Sequence, residues 1–263
     1  SAIKTNVELV GIFKKQFTKT TKVVTWGESL GGFITQALAE KHPDLFSAAA
    51  PLCSASDITP LMTMAGDALW GIKTFFDPTI KGGSYSAGAA GYAEAMGDLV
   101  KVFTVIGSLQ AAFAANPSTP AWPATSKVPD AIKAIPSRSA LLLAGLMAGI
   151  PTQSAHFDSI SGPEGALKLS FPLAVSPALA VLENGANAAI LAILATQDVE
   201  LQAGGSVFDN TATDYSARVA DSRDIYNAAL SGNTALDAML GVLKMSPRAK
   251  ATASLSKLAA TTG

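Results

Sequence analysis

The run Val24-Thr25-Trp26-Gly27-Glu28-Ser29-Leu30-Gly31-Gly32 constrains this chain more than any other stretch. Residues 22–26 are β-branched and aromatic, the pattern of a short buried strand. Residues 30–41 have the pattern of a helix, which ends at His42-Pro43 because the residue before a proline is disfavoured in the α region. Between them one serine sits inside Gly-x-Ser-x-Gly, with a third glycine directly after. A chain that passes from strand to helix in so few residues strains the residue at its tip and crowds that residue's neighbours. Gly27 and Gly31 are therefore expected as the positions that tolerate no Cβ, and Gly32 as the one that lets the new helix pack closely.

A serine presented on such a turn has a chemical use. Its hydroxyl is a weak nucleophile and must be held out where both a base and a carbonyl carbon can reach it. The helix that starts beside it offers unpaired N–H groups and the positive end of a dipole, which suit a developing oxyanion. Ser29 is thus the candidate nucleophile and the backbone N–H of Leu30 the candidate oxyanion donor. Glu28 reads as structural. The plain alternative is an ordinary Gly/Ser-rich connection with no chemistry attached.

Around this motif the chain alternates. Residues 2–17 place Ile3, Val7, Val10, Phe13 and Phe17 at helical spacing with lysines opposite, and residues 46–52 make a second short apolar strand. Helix, strand, turn, helix, strand is the rhythm of a parallel α/β sheet. After Asp57 it stops. Helical patterns cover 92–115, 139–150, 178–197, 213–230 and 234–244, with Pro/Gly punctuation at 77–91, 116–136, 151–165 and 204–210. One strand-like run, 167–171, lies among them. Two domains follow: residues 1–57, and a helical domain from 58 to 263.

From Lys22 to Ser54 the strand, the WGESLGG turn, its helix and the run KHPDLFSAAAPLCSASD together resemble the α/β-hydrolase superfamily, in particular bacterial serine esterases and acyl hydrolases. The resemblance implies an α/β fold: a hydrolase core fragment followed by a large, mainly helical cap insertion. It implies cleavage of carboxylic esters through an acyl-enzyme on Ser29. It also implies a catalytic acid and base. Asp57, after the second strand, is a candidate acid, and it could equally N-cap a helix starting near Ile58. His156 is the candidate base, although more than a hundred residues of mostly helical pattern follow it; His42 reads as a helix end. Two strands do not make the sheet of this fold. The expectation is a piece of a longer protein whose remaining sheet, base and acid lie outside these residues.

Composition narrows the partners. The 263 residues are 49% hydrophobic and 15% charged, with a net charge of −1, so no basic stripe invites a nucleic-acid backbone. The single cysteine, Cys53, excludes a disulfide framework and a cysteine-rich zinc site. No cofactor fingerprint occurs. The longest apolar run, Leu141 to Ile150, falls short of the ~20 residues a bilayer needs, and no transmembrane segment is expected. The expected partner is a small-molecule ester with an apolar acyl or aromatic group. Leu141, Leu142, Leu143, Leu146, Met147 and Ile150 could line its pocket or could be plain core. Low charge and abundant small residues lean towards a secreted bacterial protein. Three other readings stand beside the esterase: a peptidase, an acyltransferase, and a non-enzymatic helical interaction module with a vestigial turn.

Overall fold

The computed structural model describes residues 2–54, 57–152, 176–230 and 233–256. It divides into two compact units, with the boundary between Leu61 and Met62.

In the first unit, α1 (Ala2–Gln16) precedes β1 (Val24–Glu28), α2 (Leu30–Lys41) and β2 (Ala48–Leu52). The two strands pair in parallel, Val24 opposite Ala48 through Glu28 opposite Leu52. A parallel pair needs a crossover, and α2 supplies it. The helix lies against both strands and buries Gly32, Thr35 and Leu38. Little else is covered. Every residue of β2 is exposed, and Trp26 and Val24 of β1 are 72% and 59% exposed. No residue of α1 is buried, and Leu9, Ile12, Phe13 and Phe17 face solvent. The elbow helix spans the expected residues. The first strand lies two residues later than its apolar run suggests, because the ladder with β2 decides where it begins.

The second unit is helical in its described residues. Its main elements are α3 (Ile58–Phe75), which starts before the boundary, α4 (Gly88–Ala115), the short α5 (Asp130–Lys133) and α6 (Arg138–Met147). After them come α7 (Pro177–Ala203), the single-turn α8 (Tyr215–Arg218), a 3₁₀ turn at Ala220–Ser222, α9 (Arg223–Leu230) and α10 (Asn233–Met245). The strand-like run at 167–171 lies outside the described residues. The continuous helix expected over 213–230 is instead two helices. The Asp214 side chain accepts the N–H groups of Ser216 and Ala217 and starts a short turn that ends before Ala220.

Here a real core forms. Phe75, Phe76, Ile80, Leu142, Leu143, Ile193 and Tyr226 are fully buried. Each such side chain contributes roughly 1.5–3 kcal/mol by leaving water. Eight of the ten residues of α6 are buried, so Leu141, Leu142, Leu143 and Met147 are core. The Pro-rich loop after α4 is fixed by polar side chains: the Thr125 and Ser126 hydroxyls donate to the carbonyls of Phe76 and Phe75 at 2.7 and 2.6 Å, and the Trp122 indole donates to Ile135 at 2.7 Å. Helices α4 and α7 are long and apolar enough to cross a membrane by length and composition alone. They pack on each other, and 33% and 39% of their most apolar stretches are buried within the protein.

Candidate active site

Ser29 occupies the single residue between β1 and α2, with φ 56° and ψ −118°. A non-glycine residue at positive φ is uncommon, and this pair of angles is strained for serine. Local bonding holds it there. The Ser29 N–H donates to the Leu52 carbonyl at 3.0 Å, which extends the strand ladder by one residue, and the Ser29 carbonyl accepts the Phe33 N–H at 3.1 Å, which starts the helix. The side chain is exposed and caps nothing, so its hydroxyl is free for chemistry. As the first residue of α2, Leu30 has an N–H with no intrahelical acceptor.

The glycines divide differently from the simple pattern. A Cβ at Gly27 would stand 2.5 Å from the Gly31 carbonyl oxygen, and one at Gly32 would stand 2.4 Å from the Leu52 carbonyl oxygen. A Cβ at Gly31 would meet nothing within 4 Å. The expectation that Gly31 must lack a side chain is therefore corrected within this structure. The crowding falls on Gly27, where helix start meets strand end, and on Gly32, where α2 touches β2.

His42 is not brought to Ser29. His42 caps the far end of α2, its N–H donating to the Leu38 carbonyl at 2.9 Å. Twelve residues of helix put it about 18 Å along the axis from the elbow. Asp57 is exposed and accepts the Thr59 N–H at 2.9 Å, the capping geometry that competes with a catalytic role. His156 lies outside the described residues. Among the described residues no group of His, Cys, Asp and Glu could hold a metal ion. Cys53 follows β2 and is exposed, with φ 47°.

A second polar cluster, inside the helical unit, has no local signal in the sequence. Asp67 of α3 is 1% exposed and accepts the Tyr215 hydroxyl at 2.5 Å together with the Arg218 guanidinium. Burial pushes its carboxyl above the usual carboxylate range, against the pull of Tyr215 and Arg218. The Tyr215 phenol is pushed up as well, by burial and by Asp67. Trp70 stacks on Tyr215 at 5.1 Å, and the Arg248 guanidinium lies over both rings. Asn210 donates to the Tyr215 hydroxyl and accepts the Ala249 N–H. The cluster joins residues some 150 positions apart and fastens the segment after α10 to the bundle.

The first unit thus combines a parallel strand pair, a crossover helix and a strained serine between strand and helix. Residues 10–86 match the profile of the prolyl oligopeptidase family, which belongs to the α/β-hydrolases. The match holds the whole elbow and β2 and covers less than a third of the chain. No curated protein and no solved structure matches the chain.

Proposed function

We propose that this chain carries the nucleophile of a serine hydrolase, and that Ser29 attacks a carboxylic ester to form an acyl-enzyme. The observation that carries the reading is the Ser29 backbone at φ 56°, held by bonds from both sides, with its hydroxyl exposed. Strain of that kind persists only where the surroundings enforce it, and its usual product is a presented side chain. In the reaction the Ser29 oxygen bonds to the carbonyl carbon, the hydroxyl proton passes to a base, and the Leu30 N–H receives the developing oxyanion; the bond from that carbon to the ester's alkoxy oxygen then breaks, the alcohol leaves with the proton from the base, and water later releases the acid from Ser29. Asp57 is the candidate acid and His156 the candidate base within these residues. The proposed substrate is an ester with an apolar acyl or aromatic group.

A peptide bond is the second substrate class, and the match of residues 10–86 to the prolyl oligopeptidase family favours it. The same acyl-enzyme serves both, so specificity lies in the pocket rather than the elbow.

The test is labelling of the full-length protein with a fluorophosphonate probe. Covalent modification at Ser29 is expected, with none in Ser29→Ala, and turnover of a p-nitrophenyl ester should fall by at least about a thousandfold in that variant. Absence of labelling in a folded full-length protein overturns the reading and favours the non-enzymatic module. Hydrolysis of a peptide anilide without ester hydrolysis assigns the peptidase.

A further inference from the structure

Inside the helical unit lies a cavity of about 60 Å³, within about 530 Å³ of atom-free space once its open mouth is counted. Its walls come from α3, α4, α6 and α7, and include Ile72, Ile106, Leu141, Gly145, Gly185 and Ala189. Every lining residue is aliphatic, aromatic or glycine, and almost no polar atom reaches its surface. Protein interiors pack as densely as organic crystals and hold few voids larger than a water molecule. A water molecule needs only ~10–15 Å³ measured this way, but it also needs two or more polar partners, and this wall offers none. The space is therefore wrong for water and right for hydrocarbon.

The shape comes from where α7 is thin. From α7, Val181 and Leu182 line the cavity at one end, and only Gly185, Ala186, Ala188 and Ala189 line it further along. Gly185 is not forced by close contact: a Cβ there would sit 3.7 Å from Ile150, an ordinary distance. A larger side chain could have closed the space and did not. Apolar throughout and partly open, the cavity suits a hydrocarbon group whose polar head stays outside.

We propose that this cavity is a binding site for the end of an alkyl chain. The site stands on its own walls and needs no reactivity at Ser29. A free alcohol or carboxylate would stay at the mouth, because nothing inside could accept its hydrogen bonds.

The experiment titrates the full-length protein with 1-alkanols from butanol to octanol and follows the methyl NMR signals of Ile72 and Ile106. Saturable shifts at both residues are expected, with the Kd falling about fourfold for each added methylene and levelling once the space is full. Ala189→Leu fills the cavity from α7 and should weaken hexanol binding at least tenfold. Gly185→Leu should do the same from a half-buried position, so a fold defect in one variant leaves the other to decide. Shifts confined to exposed residues such as Phe103 and Leu191, no dependence on chain length, or unchanged binding in both folded variants would overturn the site. Fluorophosphonate labelling of Ser29 reports separately, so failure here and failure of the hydrolase reading are distinguishable.

Discussion

A methyl group added at Gly27 or Gly32 would collide with backbone, whereas at Gly31 it would enter open space. Gly27→Ala and Gly32→Ala are therefore expected to destabilise the first unit by about 1–3 kcal/mol, the usual cost of overpacking. Gly31→Ala should be neutral, or stabilising by roughly 0.5–1 kcal/mol, because alanine suits a helix better than glycine. Urea titration of the three variants checks this, and equal losses at all three would contradict the close approach seen at two. Asp67 poses a different question. Its removal leaves the Arg218 guanidinium and the Tyr215 hydroxyl without their buried partner. Breaking a buried pair by removing one member costs about 3–5 kcal/mol, so Asp67→Ala should rank among the most destabilising single changes in the helical unit. Asp67→Asn keeps an acceptor for the phenol and should lose less. Denaturation midpoints of the two variants would decide, and near-neutral behaviour of Asp67→Ala would show that the cluster is not needed to hold the fold.

The loop between α3 and α4 is tied down by Glu94, whose carboxylate takes the Lys81 ammonium at 2.6 Å and the Ser86 N–H and hydroxyl at 2.8 Å. These bonds hold its carboxyl down, from the usual 4.5 to about 2. A depressed carboxyl stabilises the fold fully above its ordinary value and loses that contribution as pH falls through the folded one. Melting temperature should therefore drop between pH 4.5 and 2, and Glu94→Gln should flatten that part of the profile; an unchanged slope would remove Glu94 from the acid response. The elements themselves were legible to differing degrees, for physical reasons. The elbow was readable because its signal is local: a strand, glycines and a helix within nine residues. Strand β1 was misplaced by two residues because Gly27 and Glu28 are poor strand formers that only the ladder with β2 recruits. Helix α7 runs past Gln197 to Ala203, carried by the buried Val199 and by Glu200, whose partners are the Ser84 and Tyr85 amides. Residue spacing carries no trace of such a bond, nor of the Asp67–Arg218 pair. The steric division among the elbow glycines was equally hidden, since it depends on where the Leu52 carbonyl lies.

The two units differ in how much of themselves they cover. The first keeps Val24, Trp26, Leu30 and Leu52 largely exposed, while the second closes over a core of aromatic and branched side chains. Local stability follows burial, so backbone amides in α6 and the middle of α7 should exchange with deuterium far more slowly than those of β2. Mass-spectrometric exchange on the full-length protein would show the contrast, and equal protection would mean that the exposed strand faces are covered in solution. The same measurement has a less obvious target in the segment Lys81-Gly82-Gly83-Ser84-Tyr85-Ser86. Asp98 accepts the amides of Lys81 and Gly82, Glu200 those of Ser84 and Tyr85, and Glu94 that of Ser86. Five of these six amides are thus occupied, in a stretch whose glycines and serines would ordinarily mark it as the place a digestive enzyme cuts first. A protease must draw its target out into an extended strand before cleaving, and here that would strip three carboxylates of their amide donors at once. The most pliable-looking peptide in the helical unit should be among its last to be nicked.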